Sequence, residues 1–198
     1  KQRLHAVPLS SQDYKRYYNG MSNSSIWPLF HYFPSAMRYE TAYFEAYQRA
    51  NRVFADAVLE LCNDNDWIWV HDYHLMLLPG MLRKAKPDLK IAYFHHIPFP
   101  SSEIFRCLPH REEMIAGLLG ADYIGFHTYD YVRHFLSSCV RILGCDVFME
   151  QIHYHNRLIK AGAHPISIDF DDFENKSLEI EASNIQIQKI RAGQKDGW

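Results

Sequence analysis

The order in which hydrophobic periodicities follow one another constrains this chain more than any single residue. Short apolar runs of strand type, Trp67-Ile68-Trp69-Val70, residues 91–95 and Tyr123-Ile124-Gly125-Phe126, alternate with longer segments whose apolar positions recur every three or four residues. Parallel strands need long crossovers, usually helical, so this alternation predicts an α/β fold: a mostly parallel sheet with helices on both faces. The strongest helical pattern covers 41–62, where Tyr43, Phe44, Tyr47, Ala50, Phe54, Val58 and Leu61 share a side. Further helices are predicted over 74–85, with Pro79 kinking or resetting the turn, and over 102–107, 111–119 and 130–143. Residues 4–9 fit a strand, Ser10 or Ser11 a cap for a helix over 13–18, residues 147–159 a hairpin and 163–168 a returning strand. The run 67–70 contains no polar residue and reads as buried on both faces.

With 198 residues, 47% of them hydrophobic, the chain can bury one core, and no repeat or Gly/Ser-rich linker divides it. One Rossmann-like domain over 1–168 is expected, followed by a helical segment, 169–198, that is polar, weakly patterned and apt to fray. The 21 basic and 23 acidic side chains nearly cancel, so no overall field recruits nucleic acid or an anionic membrane. No apolar run approaches the roughly 18 residues that span a bilayer, and the start, Lys1-Gln2-Arg3-Leu4-His5, has no apolar signal core. Cys62, Cys107, Cys139 and Cys145 show no C-x-x-C spacing, which fits a reducing cytoplasm better than a disulfide scaffold.

In doubly wound sheets ligands sit beyond the carboxyl ends of the strands, and each of the three apolar runs ends there in polar residues: His71-Asp72, His96-Ile97-Pro98 and His127-Thr128. Asp72 in His71-Asp72-Tyr73-His74 is suited to accept hydrogen bonds from sugar hydroxyls; alternatively it caps the next helix while His71 is a satisfied core group. His95 and His96 precede Ile97-Pro98-Phe99-Pro100, whose prolines could hold an imidazole in one orientation, or merely end a strand over histidines packed beneath. Tyr17-Tyr18-Asn19-Gly20, Ser22-Asn23 and Ile26-Trp27-Pro28 combine rings with amides. That mixture suits a sugar, whose apolar face lies on rings, and also occurs as plain structure. Twelve histidines raise a metal site, but neither H-E-x-x-H nor a shared helix face supports one. G-x-S-x-G, the P-loop and G-x-G-x-x-G are all absent.

Taken together, Tyr17-Tyr18-Asn19-Gly20-Met21-Ser22-Asn23 with Ile26-Trp27-Pro28-Leu29-Phe30-His31-Tyr32, Trp69-Val70-His71-Asp72-Tyr73-His74-Leu75, and His96-Ile97-Pro98-Phe99-Pro100 with Glu103-Ile104-Phe105 resemble the trehalose-6-phosphate synthase family in order and spacing. Gly125-Phe126-His127-Thr128 is similar to the family's following strand end, so the resemblance covers about residues 1–168. It implies an N-terminal, incomplete domain of a GT-B glycosyltransferase. The family transfers glucose from UDP-glucose to glucose 6-phosphate with retention, giving trehalose 6-phosphate and UDP. By that resemblance Tyr18 and Trp27 contact the acceptor, Asp72 binds acceptor hydroxyls, and His96 meets the donor glucosyl unit near the reacting bond. UDP-glucose enters as a substrate, and neither a cofactor nor a metal is expected.

The family's Gly-rich loop, with its Arg, and its second Rossmann-like domain, with most of the groups that meet the diphosphate, have no counterpart in these residues. The expectation is therefore a piece that folds and binds acceptor weakly without turning over, and that self-associates through apolar surface left uncovered. Two other functions fit the same framework: a related glucosyltransferase with another acceptor, such as a glucosylglycerol-phosphate synthase using glycerol 3-phosphate, and a non-catalytic sugar-phosphate-binding regulatory subunit. The pocket around Tyr18 and Trp27 discriminates the first; intact motif residues weigh against the second.

Overall fold

The computed structural model describes residues 4–184 and 189, which fall into two compact units, one up to Pro165 and one from Ile166. The first unit is built on a six-stranded sheet in the order β1-β2-β3-β6-β5-β4. β1 (Trp67–His71), β2 (Lys90–His95), β3 (Tyr123–Phe126) and β6 (Arg157–Ala163) run parallel, while β5 (Gln151–Tyr154) and β4 (Asp146–Phe148) add antiparallel pairs at the far edge. The expected α/β class with a mostly parallel sheet is what the chain adopts.

The helices follow from local chemistry. Ser10 caps α1 (Ser11–Tyr14) by accepting from the Asp13 amide at 3.0 Å, and the backbone continues helically through wide π turns over Lys15–Ile26 into α2 (Trp27–Phe30). α3 (Thr41–Leu61) is the long amphipathic helix, burying Phe44, Tyr47, Ala50 and Asn51. α4 (Leu78–Ala85) starts later than expected because Pro79 suits a first turn, where no amide hydrogen is needed; a 3-10 turn, Tyr73–Leu75, fills the gap. α5 (Ser102–Phe105) and α6 (Arg111–Leu118) follow β2. α7 (Tyr129–Ser138) is capped by Thr128 and runs through π turns, Cys139–Leu143, to Gly144, whose φ of 67° ends the run. α4 and α6 meet backbone to backbone. A Cβ on Gly120 would overlap the Pro79 carbonyl carbon and the Gly80 nitrogen, so only glycine fits there.

Several expectations are corrected. Residues 4–10 carry no regular structure; Leu4 is 94% exposed and β1, not this segment, forms the sheet's edge. The helix expected over 13–18 extends further, since the aromatic stretch from Tyr17 to Trp27 is helical as well. β1 is not buried on both faces: Trp67 and Trp69 are 66% and 65% exposed, because alternate residues of an edge strand share a face that no helix of this unit covers. The returning strand is β6 itself, ending at Ala163, and residues 164–169 are irregular. The second arm of the β5–β6 hairpin doubles as the parallel partner of β3, a dual pairing that periodicity does not reveal. In the second unit α8 (Phe170–Ser183) is capped by Asp169. The fraying expected toward residue 198 falls outside the described residues.

Candidate active site

The carboxyl ends of β1, β2 and β3 lie side by side, and the register sets His71 opposite Phe94 and His95 opposite Phe126. The residues that follow each strand therefore share one rim. Asp72 leaves β1 with φ 71° and ψ 169°, a backbone region that side chains strain to occupy by about 1–3 kcal/mol. The Asp72 amide donates to the Phe94 carbonyl at 2.8 Å, and its Oδ1 accepts from the His96 amide at 3.2 Å. Oδ2 lies 3.9 Å from His74 Nδ1, and the side chain is 23% exposed. The carboxylate caps nothing in the turn it precedes, so the capping alternative falls away. Its remaining lone pairs are free to accept from a ligand.

The turn after Asp72 is held from below. Tyr47 Oη donates to the Tyr73 carbonyl at 2.6 Å and accepts from the Met76 amide at 3.0 Å, while Asn51 Nδ2 donates to the His74 carbonyl at 3.1 Å. Both residues come from the buried face of α3, and Tyr47 is fully buried. Tyr47 belongs to the apolar side of the helical pattern over 41–62, and the sequence signals Asn51 only as an amide inside that otherwise apolar face.

Around this clasp the rings form a column. Tyr14 stacks on Tyr18 and Tyr18 on His74, both at 5.2 Å between centroids, and Tyr73 Oη donates to Asn23 Oδ1 at 2.9 Å. Burial pushes the Tyr73 hydroxyl up to about 12, with the Asp72 charge adding to the rise, and lowers His74 against the opposing charge of Asp72. A cleft of about 820 Å³ is lined by Tyr14, Lys15, Tyr17, Tyr18, Phe54 and His74, among others. Tyr18 and Asp72 are thus joined through His74. Trp27, 43% exposed, stacks on His31 at 3.9 Å, and among the described residues no hydrogen bond or ring contact joins it to Asp72.

The adjacent histidines divide between the two readings open to them. His95 is fully buried among Phe30, Phe99 and Phe126, its Nδ1 3.0 Å from Tyr93 Oη, and burial drives it down to about 4. It supports the loop from beneath. His96 stands on the rim, 5.9 Å from the ring of His127 and with its Nε2 2.8 Å from His71 Nδ1. His71 is exposed, not a core group. Among the described residues no set of three or more His, Cys, Asp or Glu could hold a metal ion, and no helix is long and apolar enough to cross a membrane.

Residues 1–196 match the model of glycosyltransferase family 20. An α,α-trehalose-phosphate synthase (UDP-forming) from Aspergillus niger is 52% identical over 180 residues, covering 88% of this chain and 35% of the relative. The crystal structure of an α,α-trehalose-phosphate synthase (UDP-forming) from Burkholderia xenovorans in complex with glucose-6-phosphate superposes with a TM-score of 0.84 at 33% identity, over 93% of this chain and 41% of that one. The N-terminal domain of a Candida albicans trehalose-6-phosphate phosphatase is also similar, with a TM-score of 0.79 and 36% identity over 94% of this chain and 40% of that one. The chain spans between a third and about two fifths of the length of these proteins.

Proposed function

Because this chain belongs to glycosyltransferase family 20, we propose that it supplies the acceptor side of a retaining glucosyl transfer from UDP-glucose to glucose 6-phosphate, yielding trehalose 6-phosphate and UDP. The observation that carries this reading is Asp72: a carboxylate held on a strained backbone at the carboxyl rim, fixed to the His96 amide yet left with lone pairs to spend on a ligand. In this reading Asp72 accepts from acceptor hydroxyls, Tyr18 and Trp27 offer rings to the same sugar, and His96 meets the donor glucosyl unit. No protein nucleophile is needed. Holding donor and acceptor in contact and stabilising charge as UDP departs are sufficient, and neither step calls for a metal or other cofactor.

Groups that neutralise the diphosphate would come from a second Rossmann-like domain, since the relatives extend well beyond the length matched here. The chain alone then binds acceptor weakly, because half a cleft leaves its polar groups facing water. The partners are the two sugar phosphates, without nucleic acid or membrane, in the cytoplasm. Calorimetric titration tests the reading. Glucose 6-phosphate should bind the intact chain, and Asp72→Ala should weaken it on the order of 10- to 100-fold, the worth of one or two hydrogen bonds to a carboxylate. Equal binding by the variant would remove Asp72 from the site; binding of glycerol 3-phosphate in place of glucose 6-phosphate would indicate the sibling enzyme. The likeness to a phosphatase N-terminal domain favours a second reading, in which the same fold binds sugar phosphate without transferring it. UDP release by the full-length protein with both substrates decides between the two.

A further inference from the structure

His71 has the best-defined geometry of any rim side chain without a role so far. It is the last residue of β1, on the edge of the sheet, with its ring 4.6 Å from that of Trp69 and 5.1 Å from that of His96. Its Nδ1 lies 2.8 Å from His96 Nε2. Only one hydrogen fits between two ring nitrogens at that distance, so of two neutral imidazoles one donates and the other accepts. If His71 donates, the hydrogen of His96 must sit on Nδ1. If His96 donates from Nε2, its Nδ1 must be bare. In either case Nδ1 is the ring nitrogen of His96 left for a ligand, as a donor in the first arrangement and as an acceptor in the second.

We propose that His71 is a positioning residue that locks the His96 ring in one orientation, Nε2 toward His71 and Nδ1 toward the ligand. The surroundings favour a neutral His71. Burial, and then the neighbouring His96, lower the His71 imidazole against the opposing charge of Asp72, and His127 and Phe94 are the other rings facing His96. Asp72 meanwhile holds the His96 backbone through its amide. Backbone and ring of His96 are thus fixed by the two last residues of the first strand end, and free rotation about its side chain is removed before any sugar arrives. Such preorganisation spares a binding site the cost of ordering the group on contact. The role of the lock in sugar binding rests on the reading of His96 given above; the lock itself is a property of the unliganded chain.

NMR of the 15N- and 13C-labelled chain at neutral pH tests it, through the couplings that report the His96 side-chain torsions. The intact chain should show a single rotamer for His96. His71→Phe should lose it, giving couplings averaged over rotamers, and His71→Asn, whose amide can stand near the place of Nδ1 and either donate or accept, should restore it. An averaged His96 rotamer in the intact chain overturns the proposal without any variant, and so does a single rotamer that survives in His71→Phe. A general structural defect would not be repaired in this selective way by Asn, and His71 is exposed, so the thermal unfolding midpoint of both variants should stay near that of the parent. Adding UDP-glucose separates this inference from the function it refines. Absence of any change at the His96 ring nitrogens would count against His96 as a sugar contact while leaving the lock standing.

Discussion

Two aspartates at opposite ends of the same parallel sheet differ in how their charge is spent. Asp122, at the amino ends of β2 and β3, receives Arg83 Nη2 on both oxygens at 2.8 Å, Arg157 Nη2 at 2.8 Å and the Ile91 amide at 2.8 Å. The same guanidiniums also reach the carbonyls of Gly120, Leu119 and Ala121, so one carboxylate ties α4, the end of α6 and the starts of three strands together. Asp72, at the carboxyl end of β1, has one amide at 3.2 Å and a histidine at 3.9 Å, on a backbone that resists its side chain. A saturated carboxylate on relaxed backbone holds a fold together. An unsaturated one on strained backbone is poised for something else, and the strain is tolerated because the surrounding clasp over-determines it.

Removing each aspartate is the most direct way to break that contrast. Asp122→Ala should lower unfolding stability by about 2–3 kcal/mol, a value discounted from that of a buried pair because the carboxylate is 41% exposed, and denaturant unfolding reads it. A loss as large for Asp72→Ala would erase the distinction.

Acid sensitivity sharpens the comparison next, since the carboxyl rim rests on a buried histidine. His95 stays neutral in the folded chain down to about 4, and once unfolded it ionises near its ordinary 6.5. Between those values the unfolded chain binds more protons, so stability falls as pH falls, by about 2 kcal/mol between roughly pH 7 and 5. His95→Phe should flatten that slope, and thermal melts across the range would show an unchanged slope if His95 were not responsible.

Asp72→Gly should do the opposite of Asp122→Ala. Glycine tolerates the backbone angles at this position, so the variant should be more stable by about 1 kcal/mol while losing glucose 6-phosphate binding. A less stable glycine variant would show that the carboxylate is structural after all. The smallest expected effect lies along the same edge. Trp67 and Trp69 expose their rings along β1, and at high concentration the chain should self-associate weakly in sedimentation experiments. Replacing both with Glu should abolish this, and association that persists would place the contact elsewhere.

The rim was legible in the sequence because three apolar runs each end in a polar residue, and parallel pairing brings such ends together whatever the details of packing. Tyr18 could be named from its motif, but its link to Asp72 through the ring of His74 could not. That contact joins residues far apart in sequence, and no local pattern encodes it. Trp27, named alongside it, stacks on His31 instead. The identity of the central strand was also hidden. β6 pairs with a neighbour on each side, one parallel and one antiparallel, and its alternation is disguised by Arg157 and Lys160.

Periodicity and strand-end chemistry by themselves determined the α/β class, the long helix and the rim on which the polar strand ends gather, because these depend on spacing along the chain and on the alternation of side chains about a strand. Only the tertiary structure decided that Asp72 sits in a left-handed conformation, that Tyr47 and Asn51 clasp its turn, that His95 is buried while His96 is presented, and that His71 meets His96. Those outcomes depend on where neighbouring elements come to rest, and a hydrogen bond a few ångströms long is set by that docking rather than by any preference of the residues that make it.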